Sequence, residues 1–393
     1  MDVLKIKQKM ENKRESNIEL LRIISMILIV AFHCTIDIGL VHDNKIVSVI
    51  LFATGIWGIL GVNCFFIISF YFLYNSKFKT KKFIYIIKEI LFYTIPLIII
   101  AMINVRTNTG WSLKKINKII FLQGIKQPFW QDVYWFATIY LLMYLSFPAI
   151  NSIMRKMPQK QLKYIVILLS VIIVLYQMQT TLIEEYFFCV YMYITFFYIK
   201  EYKEEWIKKN CKIGFLVVTL VIFFTKIILE CNNNSIFIIN VIKGKLGRNS
   251  LFFFIDAIFA FYIFKTMKIK QSKIINTIAS TTFGIYLFHE NQILSIRRLI
   301  YKIASKNAFI KLNILNTNYI LVFYIAEILL IFILGCFMDF IRQFIFKKID
   351  KTKVMNNIYN KIDNYINGIY EETNEGKLKN LNYSNIEKVE AKK

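Results

Sequence analysis

Histidine, proline and charge are all scarce in this chain. Of 393 residues only 3 are histidine and 4 are proline, and the charged fraction is 19%. Apolar residues reach 56% with glycine left out of the count, whereas a soluble domain carries about 45–50% with glycine included. That balance excludes a water-soluble enzyme, and it excludes intrinsic disorder everywhere but at the two ends. The six cysteines, at 34, 64, 189, 211, 231 and 336, form no C-x-x-C pair and no metal-ligand spacing. Neither a disulfide framework nor a metal site is expected. No G-x-S-x-G, P-loop, G-x-G-x-x-G or H-E-x-x-H occurs either, which leaves hydrolase, ATPase and metalloprotease readings without support.

What the chain has instead is long apolar runs. A membrane-spanning helix needs about 20 mainly apolar residues, and ten stretches qualify: 19–40, 46–74, 83–104, 133–151, 162–178, 183–199, 213–230, 249–264, 276–295 and 319–341. All are expected to be helical, because hydrocarbon offers an open-ended segment no other way to satisfy its backbone hydrogen bonds. The fold class is therefore an all-α polytopic membrane protein, a bundle of about ten transmembrane helices. The second stretch is long, and Gly55, Gly58 and Gly61 within it predict a bend or a break. The first is too long for a cleaved signal peptide, and no small-residue cleavage site follows it.

The net charge of +25 would suggest nucleic acid in a soluble protein. Here it belongs to the loops. With the N-terminus inside, the inner segments hold 27 Lys and Arg against 14 in the outer ones, and the outer charges lie in the longer loops. That asymmetry predicts both termini in the cytoplasm of a multi-pass cell-membrane protein, with lipid rather than nucleic acid as its surroundings. Residues 1–18 read as a basic cytoplasmic segment, 19–344 as the membrane domain, and 345–393 as a cytoplasmic tail, part amphipathic and part disordered.

Ionisable side chains inside spans are costly and by default mark function. The first span carries Glu19, Arg22, His33 and Asp37. The eleven-residue step from Arg22 to His33 returns to the same helix face about 16 Å further on. Glu19 lies three residues before Arg22 and Asp37 four after His33, spacings at which helical side chains meet. The apolar interior favours an uncharged imidazole, and a neighbouring acid fixes its tautomer, which is what a base requires. The second span carries Asn63 and Ser69 and is followed by Lys77, Lys79, Lys81 and Lys82; the ninth carries Tyr286, His289 and Glu290. Two of the three histidines thus lie within spans. Tyr134 and Trp135 open the fourth span, where aromatic belts also occur without function. Asp256, Lys226, Lys88, Glu89, Glu327 and Asp339 are in or near spans, and their partners cannot be read from the sequence.

Taken together these residues resemble the integral-membrane acyltransferase family three, whose members include bacterial polysaccharide O-acetyltransferases. The first-helix pattern of an acid, two residues, a base, ten residues and a His is met by Glu19, Arg22 and His33. The family's G-V-x-x-F-F-x-I-S signature is met by Gly61, Val62, Phe65, Phe66, Ile68 and Ser69, with Phe70 where the family has Gly. Trp135 and Phe136 match a Trp-aromatic pair, and Thr282, Phe283, Tyr286, Leu287 and His289 match a late Ser/Thr-aromatic-x-x-Tyr-Leu-x-His run. The resemblance covers about 15–344.

It implies transfer of an acyl group, acetyl foremost, from cytoplasmic acyl-CoA (acetyl-CoA as co-substrate, no bound cofactor) to a hydroxyl of a cell-envelope glycan or its lipid-linked precursor. His33, Arg22 and Glu19 are then the catalytic candidates: His33 as base or acyl relay, Arg22 on a CoA phosphate or the thioester oxygen, Glu19 holding Arg22. His289, Tyr286, Asn63, Ser69 and Trp135 are the substrate-binding candidates. A transporter or flippase of glycolipid precursors remains the alternative from another class, although no internal repeat supports it.

Overall fold

A computed structural model of the chain describes residues 14–39, 45–109, 134–176, 181–231, 246–290, 296–307, 319–352, 354 and 357–362. Twelve helices run through them: α1 (Ser16–Gly39), α2 (Lys45–Tyr74), α3 (Thr80–Thr109), α4 (Trp135–Lys156), α5 (Gln159–Leu175), α6 (Leu182–Tyr202), α7 (Glu204–Cys231), α8 (Leu251–Thr266), α9 (Lys273–Ala279), α10 (Thr282–His289), α11 (Ile296–Lys306) and α12 (Ile320–Ile349). No strand occurs among the described residues, so the all-α class holds. Six of the helices, α1, α2, α4, α6, α7 and α12, are each long and apolar enough to cross a membrane. On α7, Ile213, Leu216, Phe224 and Ile228 are exposed, the surface of a helix that meets hydrocarbon rather than water.

Nine of the ten predicted spans fall on one helix each. The ninth, expected as a continuous helix over 276–295, is broken into α9 and α10. Ser280 and Thr281 each turn their hydroxyls onto carbonyls three residues back, Thr277 at 2.7 Å and Ile278 at 2.7 Å. Thr281 enters α10 at φ −95°, ψ −8° without a side-chain cap. Hydroxyl side chains that compete for backbone carbonyls favour such interruptions, and apolar periodicity does not register them. After the break α10 runs to His289, with Glu290 as its C-cap.

The second span is one continuous helix, α2, without the break that its glycines suggested. Its glycines serve packing. A Cβ on Gly58 would lie 2.4 Å from Phe32 Cβ, and one on Gly61 would lie 2.8 Å from the Ser25 carbonyl oxygen. α1 and α2 therefore approach backbone to backbone through small residues, the usual device where the hydrophobic effect cannot drive helices together. Gly58→Ala is expected to force the two helices apart and destabilise the protein by about 1–3 kcal/mol, read as a lowered Tm of detergent-solubilised protein. An unchanged Tm would show that the contact is not needed.

The described chain forms two compact units, 1–78 with 89–340 and 79–88 with 341–393. Within the second, Lys88 pairs with Asp350 and donates to Tyr359 Oη at 3.2 Å, while Arg342 Nη1 donates to Tyr85 Oη at 2.8 Å. Residues 357–360 of the predicted tail are part of a helical stretch with Tyr359 buried. The tail beyond 362 and the N-terminal residues 1–13 lie outside the described residues. Two buried acids find local partners in the first unit: Thr219 Oγ1 donates to both Asp256 oxygens at 3.1 Å, and Tyr93 Oη donates to Asp339 at 3.0 Å.

Candidate functional site

The polar stripe on α1 divides in two. At one end Glu19 is buried and holds Arg22 Nη1 at 3.2 Å, with Arg14 Nε at 4.0 Å. The Arg22 guanidinium lies 5.7 Å from the Phe72 ring centroid. At the other end His33 meets residues from the broken ninth span. Its Nδ1 is 3.1 Å from His289 Nε2 and 3.0 Å from Glu290 Oε1.

These contacts fix both tautomers. His289 Nδ1 faces the Ile285 carbonyl oxygen at 2.7 Å, and a carbonyl only accepts, so that nitrogen carries the proton. His289 Nε2 is then an acceptor, and His33 Nδ1 donates to it, with the Glu290 carboxylate 3.0 Å away as a neighbouring charge. What remains on His33 is the Nε2 lone pair, with no partner among the described residues. His33 lines a cavity of about 540 Å³ whose wall is largely apolar and aromatic, while His289 is fully buried behind it.

Arg297 of α11 locks the cluster. Its Nη1 donates to the His33 carbonyl oxygen, its Nε to the His289 carbonyl oxygen at 3.4 Å, and its Nη2 lies 3.4 Å from Glu290 Oε1. His33 Nδ1, His289 Nε2 and a Glu290 oxygen all lie within 4.8 Å of one another, close enough to share a divalent cation. No such spacing is visible along the chain, because His33 and the adjacent His289 and Glu290 come from different helices. The carboxylate oxygen such a cation would need already faces the Arg297 guanidinium. Arg297 supplies there the positive charge that a cation would bring, so the set reads as a proton-handling cluster.

The cavity runs along α1 from Met26 past His33 to Ile36 and takes Trp135 and Phe136 from the first turn of α4 and Phe283 and Tyr286 from α10. The Tyr286 hydroxyl is buried close to the amides of Phe136 and Ala137, in full hydrogen-bonding geometry with neither.

Of the residues singled out in the sequence, the structure gathers His33, Tyr286 and Trp135 on the cavity wall and places His289 directly behind His33. It does not bring Glu19, Arg22, Asn63 or Ser69 there. Asn63 is buried with Nδ2 unpartnered, and Ser69 bonds back to the Phe65 carbonyl oxygen at 2.9 Å. Asp37, the acid expected beside His33, lies in the last turn of α1, and its side chain is outside the described residues. Among the described residues the acid beside His33 is Glu290. Arg248 and Arg297 went unnoticed because they fall at span ends, where basic residues count as loop charge. The polar and apolar alternation of "IRRLIYKIASK" was the one sign that Arg297 faces inward.

Residues 15–349 match the model of a family described as an acyltransferase domain, family three of that name. No curated protein and no solved structure matches the chain.

Proposed function

Since the chain belongs to acyltransferase family three, a family of membrane acyltransferases, we propose that it is an O-acyltransferase of the bacterial cell membrane. It moves an acetyl group from acetyl-CoA, entering from the cytoplasmic face, to a hydroxyl of an envelope glycan or its lipid-linked precursor. The observation that carries this reading is His33. Its Nδ1–H donates to His289 Nε2 beside the Glu290 carboxylate, and its Nε2 has no partner among the described residues, on the wall of a cavity large enough for a small acyl group and a sugar hydroxyl.

A sugar hydroxyl is a poor nucleophile until a base takes its proton in the transition state. In this mechanism His33 Nε2 accepts the hydroxyl proton as the oxygen attacks the thioester carbonyl carbon. Tyr286, on the cavity wall beside His289, shapes the space in which the thioester and the acceptor hydroxyl meet. Collapse of the intermediate breaks the C–S bond, and the departing CoA sulfur takes the proton from His33. Glu290 steadies the transient imidazolium throughout. Arg22, about 16 Å from His33 along α1, suits a phosphate of the donor, because CoA carries its thioester on a long flexible arm. His289 positions His33.

The direct test incubates the purified protein in lipid nanodiscs with radiolabelled acetyl-CoA and envelope glycan. The expected product is glycan-bound label that mild alkali releases as acetate, the signature of an ester. Label that resists alkali would mean an amide, and no transfer at all, with intact protein and acceptor, would overturn the reading in favour of a carrier.

A further inference from the structure

Arg248 lines the same cavity as His33, but the proton transfer described above has no use for it. The face of its guanidinium lies against the Trp135 indole, 4.3 Å from the ring centroid. Its Nε is 3.0 Å from Glu185 Oε1 on α6, a carboxylate only 5% exposed. These two contacts occupy one face and one edge of the guanidinium and fix its plane. The other edge, Nη1 and Nη2, has no partner among the described residues, although the side chain is only 32% exposed. A planar fork held open in this way matches the two oxygens of a carboxylate or phosphate.

A second feature of the same wall has the same sign. α4 is 22 residues long and begins at the cavity with Trp135 and Phe136. Its N-cap, Tyr134, makes no capping bond; the Tyr134 hydroxyl instead donates to the Leu287 carbonyl oxygen at 2.8 Å. The positive end of the α4 dipole therefore lies at the cavity wall, with the buried Tyr286 hydroxyl beside its first amides. Arg248 is also near enough for its charge to act on His33.

We propose that Arg248, beside the first turn of α4, forms an anion subsite next to the acyl-transfer centre, and that the acceptor is an acidic glycan. A carboxylate or phosphate on the acceptor docks on the Nη edge and brings a neighbouring hydroxyl to His33 Nε2. The inference rests on the acyltransferase reading and goes further, because it names the acceptor's chemistry. The subsite serves the acceptor rather than the donor, whose phosphates are assigned to the Arg22 end of α1, outside the cavity.

The test uses the full-length protein in nanodiscs with acetyl-CoA and three probes: a uronic-acid oligosaccharide, the same oligosaccharide with its carboxyl groups reduced to alcohols, and a glycerol-phosphate oligomer. A charged bidentate contact corresponds to roughly 10–100-fold in kcat/KM. The charged acceptor should be preferred over its reduced counterpart by that factor, and comparison of the uronate and phosphate arms shows which anion the subsite is built for. Arg248→Gln should bring the ratio close to 1. Arg248→Lys, which keeps the charge but not the fork, should restore only part of it. Equal use of charged and reduced acceptors by the wild type, or a ratio that survives Arg248→Gln, would overturn the subsite and leave Arg248 as a tie to Glu185. If no acceptor is acetylated while a known acetyl-CoA enzyme is active in the same assay, the acyltransferase reading itself fails and the subsite falls with it.

Discussion

Replacing His33 by alanine should lower acyl transfer by on the order of 10²–10⁴-fold, the usual contribution of a positioned general acid–base. The protein should still be made and inserted, because His33 is a half-buried cavity-wall residue rather than part of the tightly packed α1–α2 crossing. The loss should appear in kcat. The KM for acetyl-CoA should change little if the donor is held chiefly at Arg22, about 16 Å away. In cells the same variant, supplied to a strain lacking the gene, should leave surface glycan present in normal amount but without alkali-labile acetyl. NMR before and after base treatment separates ester from amide acetyl and reads the result directly. Retained ester would remove His33 from the mechanism. Loss and recovery of the glycan itself would favour the carrier alternative.

The second large effect is expected at Glu290. Glu290→Gln keeps the length and shape of the side chain beside His33, but it cannot balance an imidazolium. A comparable change of the orienting acid in a Ser-His-Asp triad costs up to about 10⁴-fold. The loss here should be smaller, about 10²-fold, because His289 Nε2 accepts from His33 Nδ1 at 3.1 Å and helps to hold the tautomer. Glu290→Ala should lose more than Glu290→Gln, since it removes the oxygen as well as the charge and leaves the 8%-exposed Arg297 without that carboxylate. A merely structural Glu290 predicts a different pattern, with lowered Tm and yield but normal kcat for the protein that does fold. Measuring kcat per folded molecule separates the two.

The sequence alone determined the class of protein. Apolar runs near 20 residues with little charge permit nothing but helices in a membrane, and nine of the ten predicted spans lie on single helices. His33, His289 and Tyr286 were legible for a related reason: a titratable or polar group in an apolar run is costly, so its presence carries information. Trp135 and the family pattern were legible because their spacing lies along one local stretch of chain. The α1 stripe of Glu19, Arg22 and His33 was correctly placed on one helix face, yet a shared face did not make a shared site, since the helix carries its two ends about 16 Å apart.

The tertiary structure decided which groups touch. Sequence spacing offered Asp37, one turn from His33, as the orienting acid, but the acid beside His33 in the described structure is Glu290, more than 250 residues away. That pairing depends on the break at Ser280–Thr281, a competition between hydroxyls and amides for the same carbonyls that apolar periodicity does not record. It depends as well on the glycine contacts that let α1 and α2 meet at backbone distance. Arg248 and Arg297 look like loop charge in one dimension and line a cavity in three. Local periodicity fixes how each helix forms and which side is apolar, because those preferences act over three to four residues. The meeting of side chains from α1, α10 and α11 is fixed by helix packing, which no window along the chain can contain.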